Sequence, residues 1–322
     1  MLAYIIRRTL YVIPVVFGVA LVTFILFNVV GWDPASQMLG RHASKDEIAA
    51  LRKELNLDLP KWLDWQALGR GEWHTAFRSQ WFIYCKQICT FDFGRSFASN
   101  QKISTLMLNG MLPSLVLAVP IFFCETVVAI IFALFAAYYR NTWFDRSLVV
   151  LCVVGMSVSY LVYILVGQYL FAYKLGWFPI WGFESAKYLI LPVLVGVASG
   201  LGGEVRFFRT IMLDEMYQDY VRTAFSKGAS QQTVLFKHVL KNAMIPVITH
   251  TVIAIPFLYT GNLLLETFFG IPGIGYLAVE AINSNDIPVI KATVLIGSII
   301  YVFASLVTDI CYALVDPRIK LR

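Results

Sequence analysis

The sequence predicts an all-α polytopic membrane protein, on the basis of its composition, its apolar runs and the position of its basic residues. Of the 322 residues, 58% are apolar and only 14% are charged, whereas soluble domains are about 45–50% apolar. The apolar residues cluster in runs close to the length of about 20 residues that crosses a bilayer as a helix. We expect six transmembrane helices, with a large external insertion between helices 1 and 2 and a cytoplasmic loop between helices 4 and 5.

Apolar runs define the six predicted spans. They cover residues of about 10–30, 112–139, 147–173, 188 onwards, 244–267 and 288–314. The fourth passes a glycine-rich stretch, ASGLGG, and continues as a helix through VRFFRTIML. The first run has the basic flank of a signal peptide but is too long for one and lacks a small-residue cleavage site, which favours an uncleaved helix.

The segment between spans 1 and 2 is polar and rich in Trp and Tyr. Ser44 and Glu47 have the spacing of a capping box, which predicts a helix that continues to about Leu55. The aromatic residues suggest a small folded layer at the membrane interface. The chain therefore divides into an N-terminal tail and first helix at 1–30, an external insertion at 31–111 and a five-helix core at 112–322, which includes a loop at 204–243.

Six spans place both termini on one side of the membrane, and the basic residues indicate which side. Thirteen of these lie at the chain ends, in the link between spans 2 and 3, or between spans 4 and 5: Arg7, Arg8, Arg140, Arg146, Arg206, Arg209, Arg222, Lys227, Lys237, Lys241, Arg318, Lys320 and Arg322. The short links on the other side contain only Lys174, Lys187 and Lys291. Because cytoplasmic loops carry an excess of Lys and Arg, both termini are predicted to be cytoplasmic, and the net charge of +6 needs no nucleic-acid partner.

The sequence lacks the motifs of several enzyme classes. It has no HExxH pair, no GxSxG and no GxxxxGK[ST] loop, so we expect no catalytic site and no P-loop ATP site in this chain. The five cysteines are scattered and form no paired zinc pattern, so no metal site is predicted. Cys85 and Cys89, four residues apart, could pair in an oxidising compartment.

Ionisable residues within the spans are functional candidates because burying them in lipid is costly. Glu125 lies deepest, and it either contributes to a translocation cavity or makes an interhelical hydrogen bond. We interpret Glu204, His250 and Asp309 as interfacial. A secondary transporter usually pairs carboxylates with broken helices, so one deep carboxylate supports that class weakly. A stand-alone transporter or channel and a purely structural scaffold remain the alternatives.

A polar and basic island, DYVRTAFSKGASQQTVLFKHVLKN at 219–242, separates spans 4 and 5. Apolar residues between Leu213 and Phe225, among them Met216, Tyr217 and Tyr220, recur with the spacing of one helical face, which is predicted to be buried. Gly228 is expected to end this helix in the left-handed conformation, and Ser230 to cap a second helix. The island is therefore predicted to be a helix, a glycine turn and a second helix, with its basic residues facing outward.

The island resembles the EAA loop of ABC importer permeases, in which E-A-A-x3-G is followed nine residues later by I-x-L-P. Here Arg222-Thr223-Ala224 and Gly228 occupy the first positions, and HVLK at 238–241 the last. The match is better to the dipeptide, oligopeptide and nickel branch, whose loops read DYVRTA-x2-KG followed by H-x-L-x-NA-x-IP. Segments elsewhere also resemble the B-type permease of that branch: MLAYIIRRTLYVIPVVFGV, ASKDEIAALRKELNLDLP, FDFGRSF, ETFFGIPGIGYLAVEAI and YALVDPRI. Extra residues around 66–80 depart from the branch.

The resemblance implies a transport subunit, without enzymatic activity of its own, that forms half of a translocation pathway in a bacterial inner membrane. Its expected partners are membrane lipid, a second permease, two cytoplasmic ATP-binding subunits that bind the ATP, and an extracytoplasmic substrate-binding protein; no cofactor is expected in this chain. Peptide is the expected cargo, with nickel or another small solute as the alternative.

In this family the island is a coupling loop that contacts the ATPase. The residues that match the motif are Asp219, Tyr220, Arg222, Thr223, Ala224, Lys227, Gly228, His238 and Asn242. We expect Ala224 and Gly228 to allow close packing, and His238 and Asn242 to brace the two helices.

Overall fold

The computed structural model describes residues 2–30, 35–36, 44–54, 56–72, 77–258 and 261–315. Within these ranges every regular element is a helix, and the β pairing is limited to one isolated bridge between Arg95 and Lys102. The prediction of an all-α polytopic membrane protein is confirmed. The predicted basic C-terminal residues and the side chains of Asp309 and Cys311 lie outside the described part of the chain.

The chain is built from thirteen named helices in the described ranges. They are α1 (Leu2–Phe24), α2 (Lys45–Glu54), α3 (Trp65–Gly69), α4 (Gln80–Thr90), α5 (Ile103–Tyr138), α6 (Trp143–Ser157), α7 (Tyr160–Gly167), α8 (Lys187–Met216), α9 (Asp219–Ser226), α10 (Gln231–Phe257), α11 (Leu263–Phe269), α12 (Ile274–Asn283) and α13 (Ile287–Val315). Wider π-helical turns extend α1 over Ile25–Val30 and α7 over Gln168–Lys174, and another lies within α10 at Val234–Val239.

Five of the described helices are long and apolar enough to cross a membrane: Thr9–Val30, Ile103–Tyr138, Lys187–Met216, Gln231–Phe257 and Ile287–Thr308. Two further helix pairs, α6 with α7 and α11 with α12, pass the same test but are bent by 93° and 79°. Counting each bent pair as one span gives seven, so the predicted number of six is not confirmed.

The two predicted spans that differ from the structure are interrupted for local reasons. The run at 147–173 is divided where Val158 and Ser159 adopt extended backbone angles, with ψ of 131° and 142°. The run at 244–267 is divided after Phe257, where a 3-10 turn containing Pro256 ends α10. Proline has no N–H to continue the helical hydrogen bonding, which explains the end of the helix at this point.

One compact unit, here called the core unit, comprises Met1–Tyr4, Leu112–Tyr276 and Ala304–Arg322. Its larger apolar cluster joins α5, α6, α8, α9 and α10. Four alanines of α5 take part in this cluster: Ala129, Ala133, Ala136 and Ala137. Such small residues allow transmembrane helices to approach closely.

The other compact unit, here called the insertion unit, comprises Ile5–Met111 and Leu277–Phe303. The predicted capping box is confirmed, because the Ser44 N–H donates to Glu47 at 2.9 Å and the Glu47 N–H donates to the Ser44 hydroxyl at 3.2 Å. These hydrogen bonds with Ser44 lower the pKa of the Glu47 carboxyl. Phe24 packs edge-on against Trp62 and Trp81, each with a centroid distance of 5.1 Å. This aromatic cluster holds the insertion segment against the first helix.

Candidate coupling and translocation sites

The island between α8 and α10 has the predicted helix, glycine turn and second helix. Helix α9 ends at Ser226, Gly228 has a φ of +81°, and the Ser230 hydroxyl accepts a hydrogen bond from the Thr233 N–H at 3.3 Å. The first helix is shorter than the apolar pattern predicts. Helix α8 ends at Met216, and Tyr217, assigned to the buried face, is 62% exposed.

The inner face of α9 is packed into the apolar cluster of the core unit. Val221 is 2% exposed and Ala224 is 8% exposed, and both belong to the cluster that contains Phe208 of α8 and Val239 of α10. The small Ala224 side chain permits this close approach. Helix α9 is therefore packed directly against both α8 and α10.

The outer face of α9 is polar and accessible. Asp219, Arg222, Thr223 and Lys227 are exposed. Arg222 lies 3.7 Å from Asp219, but their side chains are 75% and 97% exposed, so this pair contributes little to folding stability. The face is free to contact another protein.

A hydrogen bond connects α9 to the end of α8, and a side-chain amide of α10 lies beside the same tyrosine. The Tyr220 hydroxyl donates to the Glu215 carboxylate at 2.5 Å. Burial and this hydrogen bond raise the pKa of Tyr220 to about 12, an effect that the neighbouring Asn242 amide opposes. Asn242 also donates to the His238 carbonyl oxygen at 3.0 Å within α10. Tyr220 is therefore a protonated donor at physiological pH.

The helices around the island carry an ion pair that the sequence analysis missed. Arg209 of α8 donates to both oxygens of Asp145 of α6, with Nε–Oδ1 and Nη2–Oδ2 distances of 2.6 and 2.8 Å. Asp145, only 3% exposed, also accepts from the Asn141 N–H at 3.1 Å. From the sequence, Arg209 contributes only to the prediction of which side of the membrane is cytoplasmic. No local pattern relates it to Asp145, which is 64 residues away.

Glu125 lies halfway along α5 and is partly buried. Within the described part of the chain its carboxylate has no hydrogen bond or ion pair, so the expected alternative of an interhelical hydrogen bond is not observed there. The carboxylate lies against Gly200 of α8, where an added Cβ would collide with it. The absence of a side chain at Gly200 creates the space that Glu125 occupies.

Glu204 follows Gly200 by one helical turn and pairs with His250 of α10 at 3.1 Å. The ring of His250 packs against Phe207 at a centroid distance of 4.2 Å. From their positions in the sequence, Glu204 and His250 are expected to be interfacial, and no contact between them is predicted. The structure brings them together on the face of α8 that carries Gly200.

The bend between α11 and α12 is built around a buried carboxylate. Glu266 is fully buried and accepts hydrogen bonds from the Ser114 hydroxyl at 2.8 Å, the Asn262 N–H at 2.9 Å and the Tyr276 N–H at 3.1 Å. An added Cβ at Gly261 would lie 2.8 Å from Glu266, and one at Gly273 would collide with it. The carboxylate thus explains why Gly273 and Gly275 of GIPGIG have no side chain, whereas an added Cβ at Gly270 would collide with Trp181.

Comparisons with known proteins cover the whole chain. Residues 129–321 match the family model of the binding-protein-dependent transport system inner membrane component, and residues 1–118 match the corresponding N-terminal model. A dipeptide transport system permease protein of Alkalihalophilus pseudofirmus is 33% identical over 351 residues, covering 99% of this chain and 100% of the relative.

Two further relatives match this chain over nearly its whole length. A putative peptide transport system permease protein of Brucella abortus is 34% identical over 328 residues, covering 99% of each chain. A glutathione transport system permease protein of Salmonella typhimurium is 33% identical over 322 residues, covering 100% of each chain. The resemblance to ABC importer permeases is confirmed: the chain belongs to the family of inner-membrane components of binding-protein-dependent transport systems.

Proposed function

We propose that this chain forms half of the translocation pathway of an ATP-driven peptide importer and is coupled to a separate ATPase through the island at 219–242. The coupling role is supported by the amphipathic structure of α9. Its inner face, with Val221 and Ala224, is buried in the core unit, and its outer face is exposed and charged. The cargo class is supported by the relatives, whose names refer to dipeptide, peptide and glutathione transport.

Coupling in this proposal is a rigid-body movement. The ATPase contacts Asp219, Arg222, Thr223 and Lys227, and the glycine turn at Gly228 keeps α9 at a set angle to α10. Tyr220 links α9 to Glu215 at the end of α8, and Asn242 and His238 brace the start of α10. Because packed helices shift as units, the movement reaches α8 and α10 together.

The same two helices carry the polar groups proposed to face the transported solute. Glu204 of α8 and His250 of α10 are paired, and Glu125 of α5 lies against α8. A relative shift of α8 and α10 changes the surroundings of all three groups. We therefore propose that Glu125 contributes to the translocation pathway.

The bent helix pairs suggest how six spans arise. If α6 and α7 form one bent span, and α11 and α12 a re-entrant segment, the five long helices bring the total to six. Both termini and the island are then cytoplasmic, as the basic residues predict. In this proposal residues 31–111 form the external insertion, and residues 112–322 the core with its loop at 204–243.

The proposed partners are a second permease, two ATP-binding subunits and an external binding protein. The decisive experiment reconstitutes this assembly in proteoliposomes and measures uptake of a radiolabelled dipeptide with ATP or with a non-hydrolysable analogue. Uptake that requires ATP, the ATPase subunits and the binding protein is expected. Uptake driven by a proton gradient without the ATPase would establish a secondary transporter, and ATP-dependent uptake of nickel but not of dipeptide would change the cargo.

A further inference from the structure

A cavity of about 310 Å³ lies inside the insertion unit. Its walls come from the end of the first helix, from α4, from the loop at 93–97 and from the first turns of α13. Two basic residues, Lys291 and Arg95, line it together with several side-chain amides, and no acidic residue is among its lining residues. Its volume lies at the lower end of the range of about 300–1,000 Å³ for small-molecule sites.

Lys291 has fewer hydrogen-bond partners than its ammonium group can use. Its Nζ donates to the Asn28 side-chain oxygen at 2.6 Å. Among the described residues no carboxylate pairs with it. An ammonium has three N–H donors, and a partly buried charge without a counter-charge is unfavourable. An anionic acceptor in the cavity would therefore stabilise Lys291.

A chain of side-chain amides holds Lys291 in position. Asn28 donates to the Gln80 side-chain oxygen at 3.1 Å, and this bond turns the Asn28 oxygen towards Lys291. Gln80 in turn donates to the backbone oxygens of Leu57 and Leu59 at 3.0 and 2.9 Å. The cationic wall is thus organised before any ligand arrives, which lowers the cost of binding.

The wall that carries Arg95 is fixed by Asp286, the residue before α13. The Asp286 carboxylate accepts hydrogen bonds from the Ser96 hydroxyl at 2.5 Å and from the N–H groups of Phe97 and Ala98, each at 3.2 Å. The Asp286 carboxylate is thereby hydrogen-bonded to residues 96–98, which follow Arg95 in the same loop. Arg95 itself donates from Nη1 to the Asn100 carbonyl oxygen at 2.8 Å; the guanidinium has five donors in total.

The rest of the lining is suited to an organic molecule. Ile83, Phe93 and Phe97 supply apolar surface. Tyr84, itself buried, also lines the cavity. Two single positive charges, separate amides and apolar side chains complement a molecule with one anionic group and an apolar part.

We propose that this cavity binds a small organic carboxylate, with Lys291 and Arg95 contacting the carboxylate and the apolar lining contacting the remainder. The inference does not depend on the proposed function, since binding is measured without ATP, partner proteins or transport. Another source of an anionic group, the phosphate of a membrane lipid, is distinguished by the experiment.

The test uses the full chain in nanodiscs of phosphatidylcholine and isothermal titration with N-acetylalanine and its uncharged amide. We expect N-acetylalanine to bind, and the amide to bind about tenfold or more weakly, because a hydrogen bond to a charged group is lost. Lys291→Met should weaken binding of the acid by a similar factor, whereas Lys291→Arg should retain it. Lys187→Met, a change of an exposed lysine at the start of α8, is the matched control.

Arg95→Gln keeps the experiment informative if Lys291→Met fails to fold, because Arg95 lies outside the hydrogen-bonded chain of Lys291, Asn28 and Gln80. It should also weaken binding of the acid. Equal binding of acid and amide, or unchanged affinity in the folded variants, would overturn the proposal. Loss of N-acetylalanine binding when phosphatidylglycerol replaces part of the phosphatidylcholine would overturn it in favour of a lipid phosphate site.

Discussion

Asp145 and Arg209 form a two-point ion pair that fastens the start of α6 to the part of α8 that leads into the island. Both oxygens of Asp145 accept from the guanidinium, at 2.6 and 2.8 Å, and the Asp145 side chain is only 4% exposed. This planar arrangement is the one in which an arginine and a carboxylate interact most strongly. The pair therefore holds α8 against α6 close to the island.

Replacing Asp145 with Asn should lower the melting temperature of the reconstituted complex. The variant leaves the guanidinium without its counter-charge, and breaking a buried pair costs about 3–5 kcal/mol. The cost should lie below that range here, since Arg209 is 24% exposed. Arg146→Gln is the control: this arginine is exposed and lies near Asp145 without a hydrogen bond to it, so its removal should lower the melting temperature much less. Equal melting temperatures for both variants would show that the pair does not stabilise this region.

Gly228→Val should leave the complex assembled but separate ATP hydrolysis from transport. A β-branched residue at a φ of +81° is strained by roughly 1–3 kcal/mol, and relief of this strain would change the angle between α9 and α10. No heavy atom would contact the added Cβ within 4 Å, so the effect comes from the backbone.

The matched control for this prediction is Gly228→Asn, because asparagine adopts the left-handed conformation more readily than most residues. ATPase activity and dipeptide uptake are measured on the same proteoliposomes. We expect near-normal coupling for Asn and ATP hydrolysis without uptake for Val. Wild-type uptake in the Val variant would contradict the role of the turn.

Gly273→Ala should destabilise the bend between α11 and α12. The added methyl group would collide with the Glu266 carboxylate and with Ser114, and the buried carboxylate would lose hydrogen bonds that it needs. Gly203→Ala is the control, since its Cβ meets no heavy atom within 4 Å and alanine is favoured in helix interiors by about 0.5–1 kcal/mol. Thermal unfolding of both variants gives the comparison, and equal stability would show that the bend tolerates a side chain at this position.

Glu125→Gln should reduce ATP-dependent uptake and leave the melting temperature of the complex nearly unchanged. The carboxylate has no bonded partner among the described residues, so its removal should cost little stability, whereas a group that contacts the solute should alter transport. Uptake of dipeptides with and without a free amino group would show whether the charge is used. An unchanged uptake rate for every dipeptide would exclude Glu125 from the pathway.

The features that local chemistry controls were predicted well. The capping box of Ser44 and Glu47 depends on residues three apart, and the left-handed turn at Gly228 depends on one residue without a Cβ. The end of α8 at Met216 was not predicted. The apolar residues keep their helical spacing across residues 217 and 218, where the backbone leaves the helix, so the spacing alone does not show the interruption. The exposed Tyr217 is the residue at which that pattern fails.

Of the candidate site, the island residues were predicted from the sequence, and the contacts between distant helices were not. The motif residues of the island could be named in advance, but the partners of the buried charges could not. Asp145 and Arg209 are 64 residues apart, and Ser114 and Glu266 are 152 residues apart. Such pairs depend on which helix faces meet, and a single sequence does not contain that information in any local pattern.

The amino-acid order alone decided the membrane class, the helical island and the absence of a P-loop, because hydrophobicity, capping and backbone freedom act within a few residues. Tertiary packing decided that Glu125 lies against Gly200, and that Glu266 occupies the space left by Gly261 and Gly273. The physical reason is that a buried charge must find donors wherever the packed helices place them. Those distances are set by the whole fold.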